Sequence, residues 1–301
     1  MHGIGAQAPA VWRGPAAHQV IWDSATMAAH GDSPIGHVVD HPTLELPFWS
    51  RPYALEIELP KIAGIQVTRF MVTELLAAIL VVLVLVPLAR HVSRNQVSRG
   101  WFMNMFESML LFIRDQVARP AIGGHGADRF LPYLWTVFFF VLFNNLLGMI
   151  PGLASATGNI NVTAVLAFMT LSMVVMGGMR ELGAMGYWAA IVPHMDVPPF
   201  LKLFLWPLMF VIEVAGLLIR HSVLAVRLFA NMFAGHVVLA VILGFILMSR
   251  SLAPGLWASV AAASVVGVIA LSLLELFVAF LQAYIFTFLS ALFIGSAVHP
   301  H

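Results

Sequence analysis

The sequence predicts an all-α polytopic membrane protein with about five membrane-embedded helices and one interfacial amphipathic helix. Two observations carry the prediction: 60% of the 301 residues are hydrophobic, and only 10% are charged. An ordinary soluble domain contains roughly a quarter charged residues, and a globule of this size still exposes about a quarter of its chain surface. A soluble enzyme and a disordered chain are therefore excluded. The absence of cysteine also excludes a disulfide-stapled secreted domain.

Residues 1–68 differ in composition from the remainder and are predicted to be a polar tail outside the membrane. They contain five of the twelve histidines and six of the fourteen acidic residues, and no apolar run in them approaches 18 residues. Metal binding by these histidines is an alternative, but their irregular spacing favours a solvated tail, partly structured at most. Residues 69–301 are predicted to form the membrane domain.

Three hydrophobic segments precede the C-terminal third, and each approaches the ~20 residues needed to cross a bilayer. They are predicted as spans over residues 70–89, 131–150 and 162–178. Between the first two, residues 101–118 carry apolar side chains at helical spacing. This pattern predicts an amphipathic helix that lies at the membrane interface.

The C-terminal third contains two unusually long apolar stretches without proline. Residues 208–249 and 256–297 contain 42 residues each, and a turn-rich break at residues 250–255 separates them. A helix of that length is about 63 Å long, whereas the hydrocarbon core is only ~30 Å thick. We therefore predict two long, steeply tilted antiparallel helices, with the first beginning near residue 203 and spanning 203–249. A split of this helix at residues 220–222 is the alternative, but no strong turn residue occurs there.

The placement of arginine predicts the orientation in the membrane. Residues 90–129 carry six arginines against three acidic residues, whereas the N-terminal tail is net negative. The positive-inside rule then places the tail outside and residues 90–129 inside. Five crossings leave the C-terminus inside.

Ionisable residues inside the two long helices are the candidates for function. Each buried charge costs at least ~2.5–3.5 kcal/mol on insertion scales, so it marks a functional site or a water-filled path. Glu213, Arg220 and Arg227 are seven residues apart and share one stripe of a helix, and Asn231 continues the same face. Snorkelling to the interface explains Arg220 equally well, but not Arg227, which lies at mid-depth.

The partner helix carries a matching set of polar residues. Glu275 and Gln282 are also seven apart, and a hairpin folded about position 252.5 puts Arg227 level with Val278, between them. Arg227, Asn231, Glu275 and Gln282 are thus predicted to form one polar seam. Arginine cannot lose its charge in practice, whereas Glu275 and His236 can titrate. This combination predicts a proton path with a fixed block in it. A structural ion pair between Glu275 and Arg227 is the alternative, but it leaves the other polar residues unexplained.

The segment Leu224–His236, which reads LAVRLFANMFAGH, closely resembles the signature of subunit a of F-type ATP synthases. The later stretch Leu281–Phe286 (LQAYIF) resembles the second signature of that family. Phe143–Pro151 and Asn161–Thr163 resemble weaker patterns of the family. The resemblance extends from about residue 70 to residue 298.

The resemblance implies a role for each matching residue. Arg227 matches the essential arginine that faces the c-ring carboxylate and prevents a direct leak between two half-channels. His236 and Glu275 match the pair that lines the outer half-channel, in exchanged positions relative to many bacterial members. Further matches are Asn145 in the outer entry path, Glu213 in the inner half-channel, and Asn231 and Gln282 beside the arginine. His221 stands where proline is common in bacterial members and has no assigned role.

The resemblance implies proton translocation through the Fo sector, coupled to ATP synthesis, with no cofactor and no metal. The implied partners are the c-ring, the peripheral-stalk b subunits, the remaining synthase subunits and membrane lipid, and not nucleic acid. The sequence has no GxxxxGK[ST] loop, so ATP chemistry is expected on partner subunits and the chain is not an enzyme by itself. A bacterial inner membrane is the expected location, with an organelle as the alternative.

Two other classes of membrane protein fit less well. A secondary transporter predicts paired, broken spans in repeats, and none is found in the sequence. A haem-binding carrier predicts facing histidines on two spans, but His221 and His236 share one helix.

Overall fold

The computed structural model describes residues 43–46, 55–62, 65–94, 100–150, 153, 155–192, 198–251 and 253–299. Eight α-helices occur in these ranges: α1 Arg69–Arg94, α2 Trp101–Phe112, α3 Arg119–Ile122, α4 Gly124–Gly148, α5 Ile160–Leu182, α6 Ala184–Ala190, α7 Pro199–Met248 and α8 Pro254–Val298. A π-helical segment, Ile113–Ala118, joins α2 to α3. Short 3₁₀ turns cover Ala156–Gly158 and Ser249–Ser251.

Five helical segments are long and apolar enough to cross a membrane, which confirms the predicted all-α polytopic class. They are Arg69–Arg90, Gly126–Gly148, Ile160–Leu182, Phe200–Ser251 and Pro254–Val298. The last two contain 52 and 45 residues, so each is more than twice as long as the ~30 Å hydrocarbon core is thick. Each helix must therefore tilt, curve or extend beyond the hydrocarbon core.

The helix boundaries differ from the predicted spans mainly where a proline lies near a helix end. Helix α7 begins at Pro199 and contains Pro207, and α4 begins at Gly124 and contains Pro132. Proline removes one backbone hydrogen bond, but membrane helices tolerate this loss because neighbouring groups satisfy the freed carbonyl. One turn after the proline, the hydroxyl of Thr136 adds a side-chain hydrogen bond to the carbonyl of Pro132 itself, at 2.7 Å.

Two short antiparallel hairpins precede α1 in the described part of the chain. Strand β1 (Thr43–Leu46) pairs with β2 (Leu55–Glu58), and β3 (Lys61–Ile62) pairs with β4 (Ile65–Gln66). The five histidines of the predicted tail lie outside the described residues.

Helices α7 and α8 form an antiparallel pair joined by the turn at Ser249–Ser251, and α4 and α5 pack against this pair. Buried apolar side chains fill the space between the four helices, among them Leu134, Phe139, Leu228, Phe286 and Ile294. Helix α1 packs on α4 at the periphery and leaves one apolar face exposed: Leu75, Ile79, Val82 and Leu83.

Two contacts show which helix ends lie together. Arg129, near the start of α4, donates to Glu181, near the end of α5, at 2.7 Å. His299, after the end of α8, lies beside Gly123 at the start of α4. We call this side of the bundle the Arg129 end. The opposite side, where α4 ends and α5 begins, is the Asn145 end.

Candidate functional site

Arg227 lies on the outward face of α7. Its neighbours Leu224 and Leu228 are buried in the helix bundle, whereas Arg227 itself is exposed. It makes no hydrogen bond and no ion pair with any residue that the structure describes. A permanent cation therefore lies on the surface of a membrane helix without a partner among the described residues.

One turn further along α7, two amides join the two long helices. The Nδ2 of Asn231 donates to the Oε1 of Gln282 at 2.7 Å, and Gln282 is only 1% exposed. An amide–amide bond between transmembrane helices fixes their mutual register, because an unpaired amide in an apolar setting is costly. This contact holds α7 and α8 in place beside Arg227.

His236 and Glu275 form a second polar contact between the same helices. The Nδ1 of His236 lies 3.7 Å from the Oε1 of Glu275, and Glu275 is 7% exposed. That separation is too long for a hydrogen bond but within the range of an ion pair when the histidine is protonated. The pair unites a carboxylate and an imidazole, the two side-chain types best suited to exchange a proton.

Gly235 makes room for the carboxylate of Glu275. A Cβ at this position would lie 2.8 Å from the Oε1 of Glu275. Any larger residue would therefore displace the carboxylate from its present position. The sequence analysis included this glycine in the Leu224–His236 signature but assigned it no role.

Asn145 is fully buried at the end of α4 and is held by a chain of hydrogen bonds. The Oγ1 of Thr157 donates to its Oδ1 at 2.7 Å, which leaves Ser155 as the donor in the 2.9 Å bond to Thr157. The Nδ2 of Asn145 in turn approaches the carbonyl oxygen of Ala279 at 3.4 Å. Asn145 thus meets α8 between Glu275 and Gln282.

Ser155 and Thr157 are polar-path candidates that sequence reasoning missed. They lie in the loop between α4 and α5, and both are buried. The only signal available was the polar character of a loop beside the weaker family pattern at residues 161–163, and nothing in one sequence pairs Thr157 with Asn145.

Glu213 lines a cavity of about 220 Å³ near the Arg129 end of the bundle. The cavity lies between α5, α6, α7 and α8, and its lining residues are Val174, Leu182, Tyr187, Ala190, Ile191, Glu213, Leu217, Arg220, Ser296 and Ala297. Glu213 is half-buried and has no hydrogen bond or ion pair with the described residues. Helix α6 supplies one wall of this cavity, and the sequence analysis did not predict that helix.

The predicted polar seam is only partly present. Asn231 meets Gln282, but Arg227 makes no ion pair with Glu275, so the alternative of a structural ion pair is wrong. The predicted register of the hairpin is also wrong. The prediction folded the two helices about position 252.5. The midpoint in residue number is 256.5 for the Asn231–Gln282 pair and 255.5 for the His236–Glu275 pair. The connecting turn alone does not determine the register of two helices of 50 and 45 residues, which depends on how their side chains pack.

His221 is buried between α7 and α8. Its Nδ1 lies 2.8 Å from the carbonyl oxygen of Leu217, and its ring packs on Phe293 with centroids 5.0 Å apart. The residue that had no assigned role therefore contributes to the packing of the two long helices.

Comparison with known proteins bears directly on this arrangement. The family model described as ATP synthase A chain matches residues 71–295. The chain belongs to the ATP synthase subunit a family. Subunit a is the proton-translocating subunit of the membrane-embedded Fo sector, so the functions of the family are ion transport and ATP synthesis.

Curated relatives agree with the family assignment. The chain is 43% identical to ATP synthase subunit a of Myxococcus xanthus over 79% of its own length and 75% of the relative's. It is 42% identical to ATP synthase subunit a 2 of Chlorobaculum tepidum over 89% and 73% of the two chains. With subunit a of Chlorobium phaeobacteroides it shares 39% identity over 96% and 82%.

Thr157→Val tests whether the hydrogen-bond chain to Asn145 matters for proton transport. The change keeps the side-chain volume but leaves the buried Oδ1 of Asn145 without a donor, at a cost of about 1–3 kcal/mol. We expect ATP-driven proton pumping in membrane vesicles to fall several-fold, measured by quenching of a pH-sensitive dye.

Thr163→Val is the matched control. Thr163 is also buried, but its hydroxyl donates only to the carbonyl of Ile160 in its own helix. Equal pumping by the two variants would show that the contact with Asn145 has no part in transport.

Proposed function

We propose that this subunit a carries protons along two offset half-channels, to and from a carboxylate of the c-ring, with Arg227 as the electrostatic barrier between them. One observation carries the proposal: polar clusters lie on both sides of an exposed arginine that has no partner within the described chain. Proton flow between the clusters then requires rotation of the ring, and this requirement couples flow to ATP synthesis.

We infer that the guanidinium of Arg227 is paired with an anionic group outside the described chain. A guanidinium stays ionised at all accessible pH values, and an unpaired charge in a membrane-spanning helix is costly. A carboxylate on the adjacent rotor supplies the missing anion. In turn the arginine favours the ionised form of that carboxylate as it passes, so the carboxyl group gives up its proton before it reaches the barrier.

The outer half-channel is proposed to run past Asn145 to His236 and Glu275. An amide neither gains nor loses a proton in this range, so Asn145 orients the polar path and does not carry the proton itself. His236 and Glu275 can each bind and release a proton. The contact of Asn145 with α8 at Ala279, one turn from Glu275, supports a continuous path.

The inner half-channel is proposed to leave through the cavity beside Glu213. Along α7, His236 is nine residues from Arg227, about 14 Å, and Glu213 is fourteen residues away in the opposite direction, about 21 Å. The two clusters are thus separated by about 35 Å along one helix, with the arginine between them. Asn231 and Gln282 hold the two long helices together beside it.

The same proposal includes the orientation of the chain in the membrane and its partner subunits. Protons enter from the outside at the Asn145 end and leave at the Arg129 end. Residues 1–68 form an outside tail, residues 69–301 the membrane domain, and the C-terminus lies inside. The c-ring contacts the face that carries Arg227, and b subunits of the peripheral stalk and the other synthase subunits complete the assembly. The bacterial inner membrane is the proposed location.

Arg227→Ala is expected to abolish ATP-driven proton pumping while the synthase still assembles. Without the cation, the ring carboxylate is no longer kept ionised as it passes, and the two half-channels are no longer separated. Dye quenching in vesicles measures pumping, and co-purification with a ring of small subunits measures assembly.

Arg250→Ala is the control for loss of an arginine from this helix region. Arg250 is exposed in the turn between α7 and α8, far from both clusters. We expect this variant to pump at nearly the normal rate. Normal pumping by Arg227→Ala would remove the basis of the proposal.

The exchange His236→Glu with Glu275→His tests whether these residues act as a pair. The double variant restores one carboxylate and one imidazole, whereas each single variant has two groups of one kind facing each other. We expect the double variant to pump faster than either single variant, by several-fold. A double variant no better than the worse single one would contradict a shared role.

A further inference from the structure

Tyr187 is the one titratable side chain that α6 contributes to the Glu213 cavity. It is only 3% exposed, and its ring lies directly on Gly178 of α5. A Cβ at position 178 would approach the ring carbons of Tyr187 to 2.3 and 2.4 Å, so the glycine is what allows the ring to seat there. The ring therefore has little freedom to turn or withdraw.

A chain of aromatic contacts also ties α6 to α7. The Tyr187 ring meets Trp188 edge-on at 5.5 Å, and Trp188 packs on Phe210 at 6.1 Å. Phe210 lies one turn before Glu213 on α7. The wall that holds Tyr187 is thus fixed relative to the helix that holds Glu213.

The hydroxyl group of Tyr187 belongs to a side chain that lines the cavity. It makes no hydrogen bond with the described residues, yet its oxygen is not among their buried, unpartnered polar atoms. The oxygen must therefore have some accessible surface, and the cavity is the space that Tyr187 lines. By contrast, the other tyrosine near α5, Tyr133, bonds to Thr170 at 2.8 Å.

The charged groups that face Tyr187 across the cavity are Glu213 and Arg220, both on α7. The lining residues of α5 and α8 are Val174, Leu182, Ser296 and Ala297, none of which titrates. Burial raises the pKa of Tyr187, so its hydroxyl keeps its proton at physiological pH and acts as a hydrogen-bond donor.

We propose that Tyr187 is a positioning residue of the proton exit: its hydroxyl donates a hydrogen bond, directly or through one water, to the Glu213 carboxylate when the proton has left. This inference rests on the proposed function. The proton itself passes from the ring carboxyl group to the Glu213 carboxylate and then to water, and Tyr187 keeps its own proton throughout. A donor aimed at the ionised carboxylate favours proton release at a given pH.

Tyr187→Phe removes the hydroxyl and keeps the ring that seats on Gly178. The complete synthase is measured in inverted membrane vesicles, where the external pH sets the pH on the Glu213 side. We expect normal assembly, and we expect the external pH for half-maximal proton-driven ATP synthesis to rise by about one to two units. Loss of one hydrogen bond to a carboxylate corresponds to about that shift.

Tyr133→Phe is the matched control, because it removes a tyrosine hydroxyl from the same bundle but away from the cavity. Its profile is expected to coincide with that of the wild type. An unshifted profile for Tyr187→Phe, or an equal shift in Tyr133→Phe, would overturn the role of Tyr187.

Glu213→Gln separates this inference from the proposed function. If that variant synthesises ATP at the normal rate, the exit path past Glu213 is wrong, and the inference fails with it. If it is slow while the Tyr187→Phe profile is unshifted, only the role of Tyr187 is overturned.

Discussion

A guanidinium that cannot discharge, fixed on a membrane helix without a partner in the described chain, is the constraint on which the structure depends. Insertion of Arg227 is costly, and no acidic residue that the structure describes pairs with it. Exposed apolar side chains, Val223 and Val226 among them, lie beside it on the helix surface. Such a surface is incomplete alone, and its charge and apolar character together suit a rotor with one carboxylate in an apolar wall.

In the proposed function, the rest of the fold holds two polar clusters apart, one on either side of that arginine. Two helices far longer than the bilayer is thick give the site its length, and the Asn231–Gln282 bond fixes how they face each other. Helix α4 brings Asn145 to α8 at one end. At the other end, α5 and the short α6 enclose the cavity beside Glu213.

Features that depend on composition and on spacing along one helix could be predicted from the sequence. The five long helices follow from the apolar runs, and Arg227, Asn231 and Glu213 follow from their positions on one stripe of α7. Contacts between elements distant in sequence could not be predicted in this way. The register of α7 against α8, counted from the connecting turn, differs from the observed one by three to four positions, because the turn alone does not determine how the side chains of two long helices pack.

The contact of Thr157 with Asn145 and the contact of Tyr187 with Gly178 could not be predicted from the sequence either. Each depends on a loop or a short helix whose local pattern is unremarkable, and each becomes visible only when the long helices are assembled. Gly235 shows the same limit: its importance lies in the carboxylate of Glu275, forty residues away in the chain, which occupies the space that a side chain would fill.

The central claim, that Arg227 separates two half-channels, is tested most directly by proton flux through a synthase whose rotor cannot turn. The ring is fixed to this subunit by a covalent cross-link in membrane vesicles, and passive proton flux is measured under an imposed pH gradient. The account predicts no flux above background in the cross-linked wild type and a clear leak in cross-linked Arg227→Ala. A leak through the cross-linked wild type, or no leak through the variant, would contradict it.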